Sequence, residues 1–479
     1  MSEHNHQQPD PGQNPFHDVC AALATPPGQS GLAVIRLSGP GSARAVDLLF
    51  RPNSPRFGPV AAMAGYTCAV GDLIDPEDAG LIDQVVITRF VAPHSFTGED
   101  VVEISCHGGV SVKQTILDRL FKLGVQSAEP GEFSKRAFMN GKMDLAQAEA
   151  VMDLIQAEAR RSTKAAAAQL RGALSGRIRR LSDAVYRLLA QVELILEYPE
   201  HEETDEAQDS LASGLESLAD SMAALQASFN QGRILREGMT VVIAGRPNAG
   251  KSSLLNALAG YDRAIVTSVP GTTRDTIEEL VDINGIPVRL IDTAGLRTTD
   301  DLVEKIGVDR ARSALRQADL VFWLASPPLS GLDDELREIR RVLAAGIPVI
   351  AIAGKDDLAE SRIIRRYLDE NLNQGDVVAF SAVSGEGLPV LRRLILDQYE
   401  RIGSPSGQEV LITNSRHKAC LDQAAARVAE AIHTIRSGIP LDLTASLLHN
   451  SAAALAAITG DQVSEELINT IFSRFCVGK

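Results

Sequence analysis

The 479-residue chain is 44% hydrophobic and 23% charged and carries a net charge of −15. That length exceeds what one hydrophobic core organises, so several domains are expected, and no apolar run approaches the roughly 18 to 20 residues that span a bilayer. Cys20, Cys68, Cys106, Cys420 and Cys476 lie far apart without a CxxC pair, which speaks against a disulfide framework or a cysteine zinc site and points to the reducing cytoplasm. The acidic balance excludes a protein that coats nucleic acid non-specifically, so a nucleic-acid site would be a confined patch. In chain order, residues 1–15 are rich in His, Gln, Asn and Pro, lack the pattern of a signal peptide, and are expected to form a disordered tail. Short apolar or β-branched runs at 33–38, 85–90 and 101–105 read as strands and 110–123 as a helix ending before Gly124, giving an α+β domain over 16–138. From Asp144 the character becomes helical: 145–187, 211–236 and 417–437 fit amphipathic helices, and the acidic stretch 197–209 with Pro199 reads as a solvated connection. A segment of alternating strands and helices, 237–399, interrupts a discontinuous helical bundle of 139–236 and 400–479. The fold class is therefore multidomain α/β plus α, the inserted segment being a P-loop domain of the Ras-like α/β type.

That segment carries the strongest chemical signal. An apolar strand at 240–244 runs into 245–252, GRPNAGKS, the pattern of a Walker A loop followed by a helix at 253–259. Its glycines let the amides of Asn248, Ala249, Gly250, Lys251, Ser252 and Ser253 approach phosphate, Lys251 supplies charge, and the Ser252 hydroxyl suits Mg2+. Taken alone the motif could be a glycine turn. The stretch 292–295, DTAG, ends that reading, because it follows a strand at 288–291; Asp292 can hold a magnesium-bound water, and Thr293, Ala294 and the Gly295 amide can sense the terminal phosphate. Thr272 and Thr273 precede it, and Thr273 is the better candidate to complete the metal shell. After a strand at 349–353, residues 354–357, GKDD, stand in the place of an Asn-Lys-x-Asp guanine motif, where Lys355 flanks the base and Asp357 accepts from both guanine N–H groups. Gly354 departs from the usual Asn. Ser381 and Ala382 follow a strand at 377–380 and fit the loop that offers an amide to the guanine oxygen. Leu296 occupies the position where related switches carry a water-orienting Gln, and Glu304 within 301–307 is the candidate substitute, against an exposed helix glutamate as the alternative. Asn248 is also placed to help bind a monovalent cation.

Beyond these motifs the chain resembles the tRNA uridine-modification GTPases called MnmE or TrmE. The likeness rests on 24–28 (ATPPG), 35–39 (IRLSG), 95–103 (SFTGEDVVE) with 107–109 (HGG), 130–138 (PGEFSKRAF), 144–149 (DLAQAE), 270–275 (PGTTRD), 413–417 (TNSRH) and 475–479 (FCVGK). It implies a homodimer held through an N-terminal domain that binds a tetrahydrofolate derivative, in the 5-formyl or methylene form, as one-carbon donor. It also implies an FAD-containing partner of the MnmG or GidA type in a heterotetramer-like complex, which adds an aminomethyl or carboxymethylaminomethyl group to the 5-position of the wobble uridine of certain tRNAs. Folate contacts carry over onto Arg36, Glu103, Lys142 and Lys479, and the charge pattern suits folate carboxylates and a pterin edge; singly, each also reads as a surface residue. The resemblance further implies a K+-activated GTPase, with Asn248, Thr267, Val269 and Thr272 as potassium ligands, Ser268, Pro270 and Gly271 in the same nucleotide loop, and Glu304 orienting water. Cys476 stands between two readings, a nucleophile near folate or tRNA and a small apolar residue. Arg160, Arg161, Lys164, Arg171, Arg177, Arg179 and Arg180 form a basic run that reads either as a tRNA or partner surface or as a solvated helix face. An RNA- or ribosome-assembly switch without modification chemistry is the alternative function.

Overall fold

The computed structural model describes residues 16–197, 204–260, 278–292, 313–372, 376–402 and 410–479. The chain divides into two compact units, residues 1–148 with 459–479 and residues 149–458.

The first unit is built on a seven-stranded sheet. Its strands are β1 (Cys20–Leu23), β2 (Leu32–Ser38), β3 (Phe50–Pro52), β4 (Thr67–Ile74), β5 (Leu81–Phe90), β6 (Val101–His107) and β7 (Gln126–Ser127), ordered β3-β4-β5-β6-β2-β1-β7. All neighbours are antiparallel except β1 and β7. Period-two alternation sorts the side chains: Ala33, Ile35, Leu37, Ile87, Val102 and Ile104 join a core with Ile116 and Leu120 of helix Val110–Lys122. Cys20 and Ala22 face the other way, packing with Phe133 of helix Glu132–Met139. Helix Glu465–Phe472 belongs to this unit, with Phe472 near both Phe138 and Phe475.

The second unit contains a six-stranded sheet of β8 (Met239–Ala244), β9 (Glu278–Ile283), β10 (Ile286–Asp292), β11 (Leu320–Ala325), β12 (Val349–Gly354) and β13 (Asp376–Phe380), ordered β13-β12-β11-β8-β10-β9. Only the β9/β10 pair is antiparallel. Asn284 and Gly285, at φ 53° and 84°, turn that hairpin, because both central positions of such a tight turn need positive φ. Parallel strands are buried on both faces, and here alternate residues feed two cores. Val241, Ile243, Phe322 and Ile352 meet helices Lys251–Ala259 and Leu388–Ile402; Val242, Trp323 and Ala351 meet helices Leu332–Ala344 and Ala359–Asn371.

Helices surround this sheet domain. The expected helical tract 145–187 is three helices, Leu145–Gln156, Arg160–Leu170 and Ala173–Glu197. Helix Thr204–Ala227 begins inside the stretch read as a connection, so Thr204 to Asp209 are helical. It packs on both Ala173–Glu197 and Ser415–Arg436. Helix Leu441–Thr459 is long and apolar enough to cross a membrane by length and composition, which the expectation of no spanning run did not foresee. Its Leu448, Ser451, Leu455 and Ile458 form a fully or nearly fully buried stripe, as a core-facing helix requires.

A buried polar knot joins these helices. Glu149 accepts from Arg416 Nε at 3.0 Å and Nη2 at 2.8 Å, from Asn414 Nδ2 at 3.1 Å, and lies 2.6 Å from His417 Nε2. Arg416 also donates to the carbonyls of Ala457 and Ile458. Burial works to raise the Glu149 carboxyl, but its hydrogen bonds and charge contacts with His417 and Arg416 outweigh it and hold the pKa at about 2.

Two helical glycines test the packing directly, Gly176 in Ala173–Glu197 and Gly232 in helix Phe229–Glu237. A Cβ at Gly232 would lie 2.1 Å from the Ile412 carbonyl oxygen, whereas one at Gly176 meets nothing within 4 Å. Gly232→Ala is expected to destabilise the protein by about 1–3 kcal/mol through overpacking, and Gly176→Ala to stabilise it by about 0.5–1 kcal/mol through helix propensity. Urea unfolding followed by circular dichroism measures both; equal effects would contradict the packing described.

Candidate active site

Loops leave the carboxyl ends of β8, β12 and β13, and β10 ends at the same edge with Asp292, the edge at which open α/β sheets place their ligands. The first is the phosphate loop. Gly245 sits at φ 140°, and a Cβ there would fall 2.2 Å from the Leu324 carbonyl oxygen, so the turn off β8 can pass β11 only as glycine. Asn248 and Gly250 are also left-handed, at φ 61° and 101°. Gly250 caps helix Lys251–Ala259, whose first-turn N–H groups have no intrahelical acceptor and so form an anion cradle with a favourable dipole. Lys251 is buried, and its Nζ donates to the carbonyls of Gly245 at 3.0 Å and Arg246 at 2.7 Å. The ammonium is thereby arched over the loop.

Beside the cradle, Ser252 Oγ donates to Asp292 Oδ2 at 2.7 Å. Asp292 ends β10 and is 1% exposed. A hydroxyl and a carboxylate in contact are hard oxygen donors of the kind Mg2+ prefers.

The base-side loops are tied together. Asp357 accepts from Ser381 Oγ at 2.8 Å, Ser381 Oγ also accepts from the Val383 amide at 3.2 Å, and the Asp356 amide donates to the Phe380 carbonyl at 3.1 Å. These bonds aim one carboxylate oxygen of Asp357 and leave its other for a ligand. A Cβ at Gly354 would lie 2.8 Å from Leu324 Cδ1, the mobile end of a side chain, so a larger residue there requires only that Leu324 shift. The link to the phosphate loop is made instead by Lys355, whose Nζ donates to the Asn248 carbonyl at 3.3 Å.

Arg246 was not singled out from sequence, yet it braces the phosphate loop. Its guanidinium reaches the carbonyls of Ser326 at 3.3 Å and Pro328 at 3.1 Å, also Ser330, and Glu335 Oε1 at 3.1 Å. Burial raises the Glu335 carboxyl above its usual range, against the pull of Arg246. The position inside the GRPNAGKS loop was the available signal; the partner, about ninety residues on, was not legible.

Thr267, Ser268, Val269, Pro270, Gly271, Thr272, Thr273, Thr293, Ala294, Gly295 and Glu304 lie outside the described residues.

A second polar site occupies the first unit. Arg36 of β2 and Glu103 of β6 are register partners and form an ion pair at 2.7 Å. The guanidinium also stacks over Phe96 and Phe133, at 5.4 Å and 5.7 Å from the ring centroids. Lys142 Nζ donates to the Pro93 carbonyl at 2.9 Å, on the loop that carries Phe96. The C-terminal tail docks alongside β1: a Cβ at Gly478 would sit 2.2 Å from the Leu23 carbonyl oxygen, and the Gly131 amide donates to the Cys476 carbonyl at 3.3 Å. Cys476 and its neighbour Val477 are exposed, while burial pushes the Cys20 thiol up to about 12 and the Cys106 thiol to about 11. Those two buried thiols are inert at neutral pH. His107 faces away from Cys106 and pairs with Asp83 at 2.7 Å.

A strand, a glycine loop and a helix carrying Lys251 and Ser252, with Asp292 and Asp357 on the same sheet edge, define a P-loop GTPase, an enzyme that hydrolyses GTP. Family models match nearly the whole chain: the GTP-binding protein TrmE N-terminus at residues 19–142 and the MnmE helical domain at 145–476. A tRNA modification GTPase MnmE of Carboxydothermus hydrogenoformans is 41% identical over 464 residues, covering 97% of this chain and 100% of the relative. Its counterpart in Acetivibrio thermocellus is 40% identical over 96% of this chain and 99% of its own length, and that of Geobacillus thermodenitrificans 41% over 96% and 99%. The chain belongs to the tRNA modification GTPase MnmE family.

The Asp357 carboxylate can be tested against its own logic. Asp357→Asn replaces an acceptor with a donor opposite the guanine N–H edge, so GTP affinity is expected to fall about 100-fold or more, with partial recovery for xanthosine triphosphate, whose ring offers an oxygen there. Equilibrium binding of fluorescent nucleotides measures this, and unchanged GTP binding would remove Asp357 from base recognition.

Proposed function

We propose that the protein hydrolyses GTP to drive the modification of the wobble uridine of certain tRNAs at its 5-position, adding an aminomethyl or carboxymethylaminomethyl group. The reading joins a folate-derived one-carbon unit held in the first unit, an MnmG/GidA-type flavoprotein partner, and a homodimer in the cytoplasm. The observation that carries it is the presence, together with a phosphate loop in the second unit, of a first unit in which Arg36 pairs with Glu103 and lies over the rings of Phe96 and Phe133. A GTPase that acted only as an assembly switch would have no use for that second site.

In the nucleotide site, backbone N–H groups at the start of helix Lys251–Ala259 and the Lys251 ammonium neutralise phosphate charge. Mg2+ would be held by Ser252 and Thr273, with Asp292 acting through water, and would supply charge stabilisation at the β and γ oxygens. Asp357, Lys355, Ser381 and Ala382 hold guanine. Glu304 would orient water in place of the Gln that Leu296 displaces, and Asn248, Thr267, Val269 and Thr272 would hold K+, which would supply charge otherwise provided by an arginine finger. In the first unit Arg36, Lys142 and Lys479 suit the carboxylates of a tetrahydrofolate derivative, and Glu103 suits its pterin N–H edge. Cys476, exposed at the tail, is the candidate nucleophile near the folate or tRNA in this reading.

Deletion of the gene in its host, followed by mass spectrometry of tRNA wobble nucleosides, tests the reading. The aminomethyl-type uridines are expected to disappear, to return with the wild-type gene, and to stay absent with Glu304→Ala. Nucleosides unchanged by deletion would sink the modification reading and leave an assembly switch.

A further inference from the structure

The linear basic run divides when folded. Arg161 lies over the Tyr399 ring at 5.7 Å and is engaged between helix and sheet domain. Arg177 and Arg180, by contrast, line a groove of about 340 Å³ between helices Ala173–Glu197 and Thr204–Ala227, together with Arg187, which the run did not include. On the first helix the lining positions are 177, 180, 184, 187 and 191, steps of three and four that make one continuous face. Gly214, Ser217 and Ser221 form the opposite wall, and Leu181, Leu188 and Leu218 its floor. No carboxylate and no aromatic ring among the described residues lines the groove. Among the described residues, none makes a hydrogen bond or ion pair to Arg177, Arg180 or Arg187.

These three guanidinium groups have no partner among the described residues, whereas Arg436 pairs with Glu216 and Arg427 with Glu430; on a protein of net charge −15 they make a local positive patch of the kind that phosphate binding needs. Arg177 to Arg187 span roughly 15 Å along the helix axis, the scale of several nucleotides. Of the facing serines, Ser221 donates to the Ser217 carbonyl at 2.9 Å, and the Ser217 hydroxyl adds a neutral donor of the type that seats a phosphate backbone. A protein partner would want an apolar or aromatic anchor at the centre of the groove, and the leucines form its floor, fully or nearly fully buried. We propose that this groove holds the sugar-phosphate backbone of the tRNA substrate, a positioning surface that contacts phosphate without reading bases. The proposal rests on the tRNA-modification reading and assigns it a place on the helical part of the second unit.

The test is binding of labelled tRNA by the full-length protein across a salt series. The variant Arg177→Gln/Arg180→Gln/Arg187→Gln is compared with Arg160→Gln/Lys164→Gln/Arg171→Gln, which removes the same charge from exposed positions outside the groove. For the groove variant, affinity near 0.1 M salt is expected to fall about tenfold or more, and the slope of log K against log salt to become shallower by roughly two to three. The control variant is expected to keep a slope close to the wild type, and both should retain wild-type GTP hydrolysis, which reports an intact fold. Equal losses in the two variants would reduce the groove to net charge and overturn the proposal. So would unaltered tRNA binding by the groove variant, including the case in which it loses the partner flavoprotein instead. Wild-type protein that binds no tRNA at any salt would overturn the functional reading along with the groove.

Discussion

Everything in the nucleotide site depends on one close approach, Gly245 passing the Leu324 carbonyl at a distance that admits no Cβ. Because β8 and β11 are adjacent and parallel, the chain leaving β8 must turn sharply over its neighbour before the helix can begin. That turn points the amides of the loop outward and sets the helix axis at the phosphate position. Leu324 is the pivot in both directions: its carbonyl fixes Gly245, and its side chain fills the room next to Gly354. At the departure from the usual guanine motif, Lys355 rather than an Asn amide reaches back to Asn248.

The loop is also braced from behind. Arg246 gathers three carbonyls of the segment after β11 and a buried carboxylate at the start of helix Leu332–Ala344. A buried carboxylate in a charge pair is justified energetically only if its hydrogen bonds are nearly complete; the Arg246 guanidinium is well supplied, while among the described residues Glu335 Oε2 has no hydrogen-bond partner. The Glu149 knot follows the same rule more fully, with Arg416, Asn414 and His417 converging on one carboxylate. Two of the motifs that carried the family resemblance, 144–149 and 413–417, meet there.

Motifs and long apolar strands were legible because their signals are local. The runs at 240–244, 288–291 and 349–353 reappear as β8, β10 and β12, and Lys251, Ser252 and Asp292 could be named from spacing alone. Partly exposed strands were not: β4 and β9 show side chains to solvent, so their alternation is diluted, although Asn284-Gly285 was a readable turn. The breaks within 145–187 and the helix Leu441–Thr459 escaped for a related reason, since tertiary packing decides where an Ala-rich helical tract bends and which face of it is buried. Pairings between distant positions, such as Arg36 with Glu103 or Arg246 with Glu335, carry no local mark in a single sequence.

The account stands on the claim that the carboxyl edge of the six-stranded sheet is a guanine-nucleotide site. Calorimetric titration of the full-length protein with GDP and with ADP, in Mg2+ and K+, tests it most directly. One equivalent of GDP should bind at least about 100-fold more tightly than ADP, and Lys251→Ala should weaken that binding severely. Equal affinity for the two nucleotides, or GDP binding indifferent to Lys251→Ala, would contradict it.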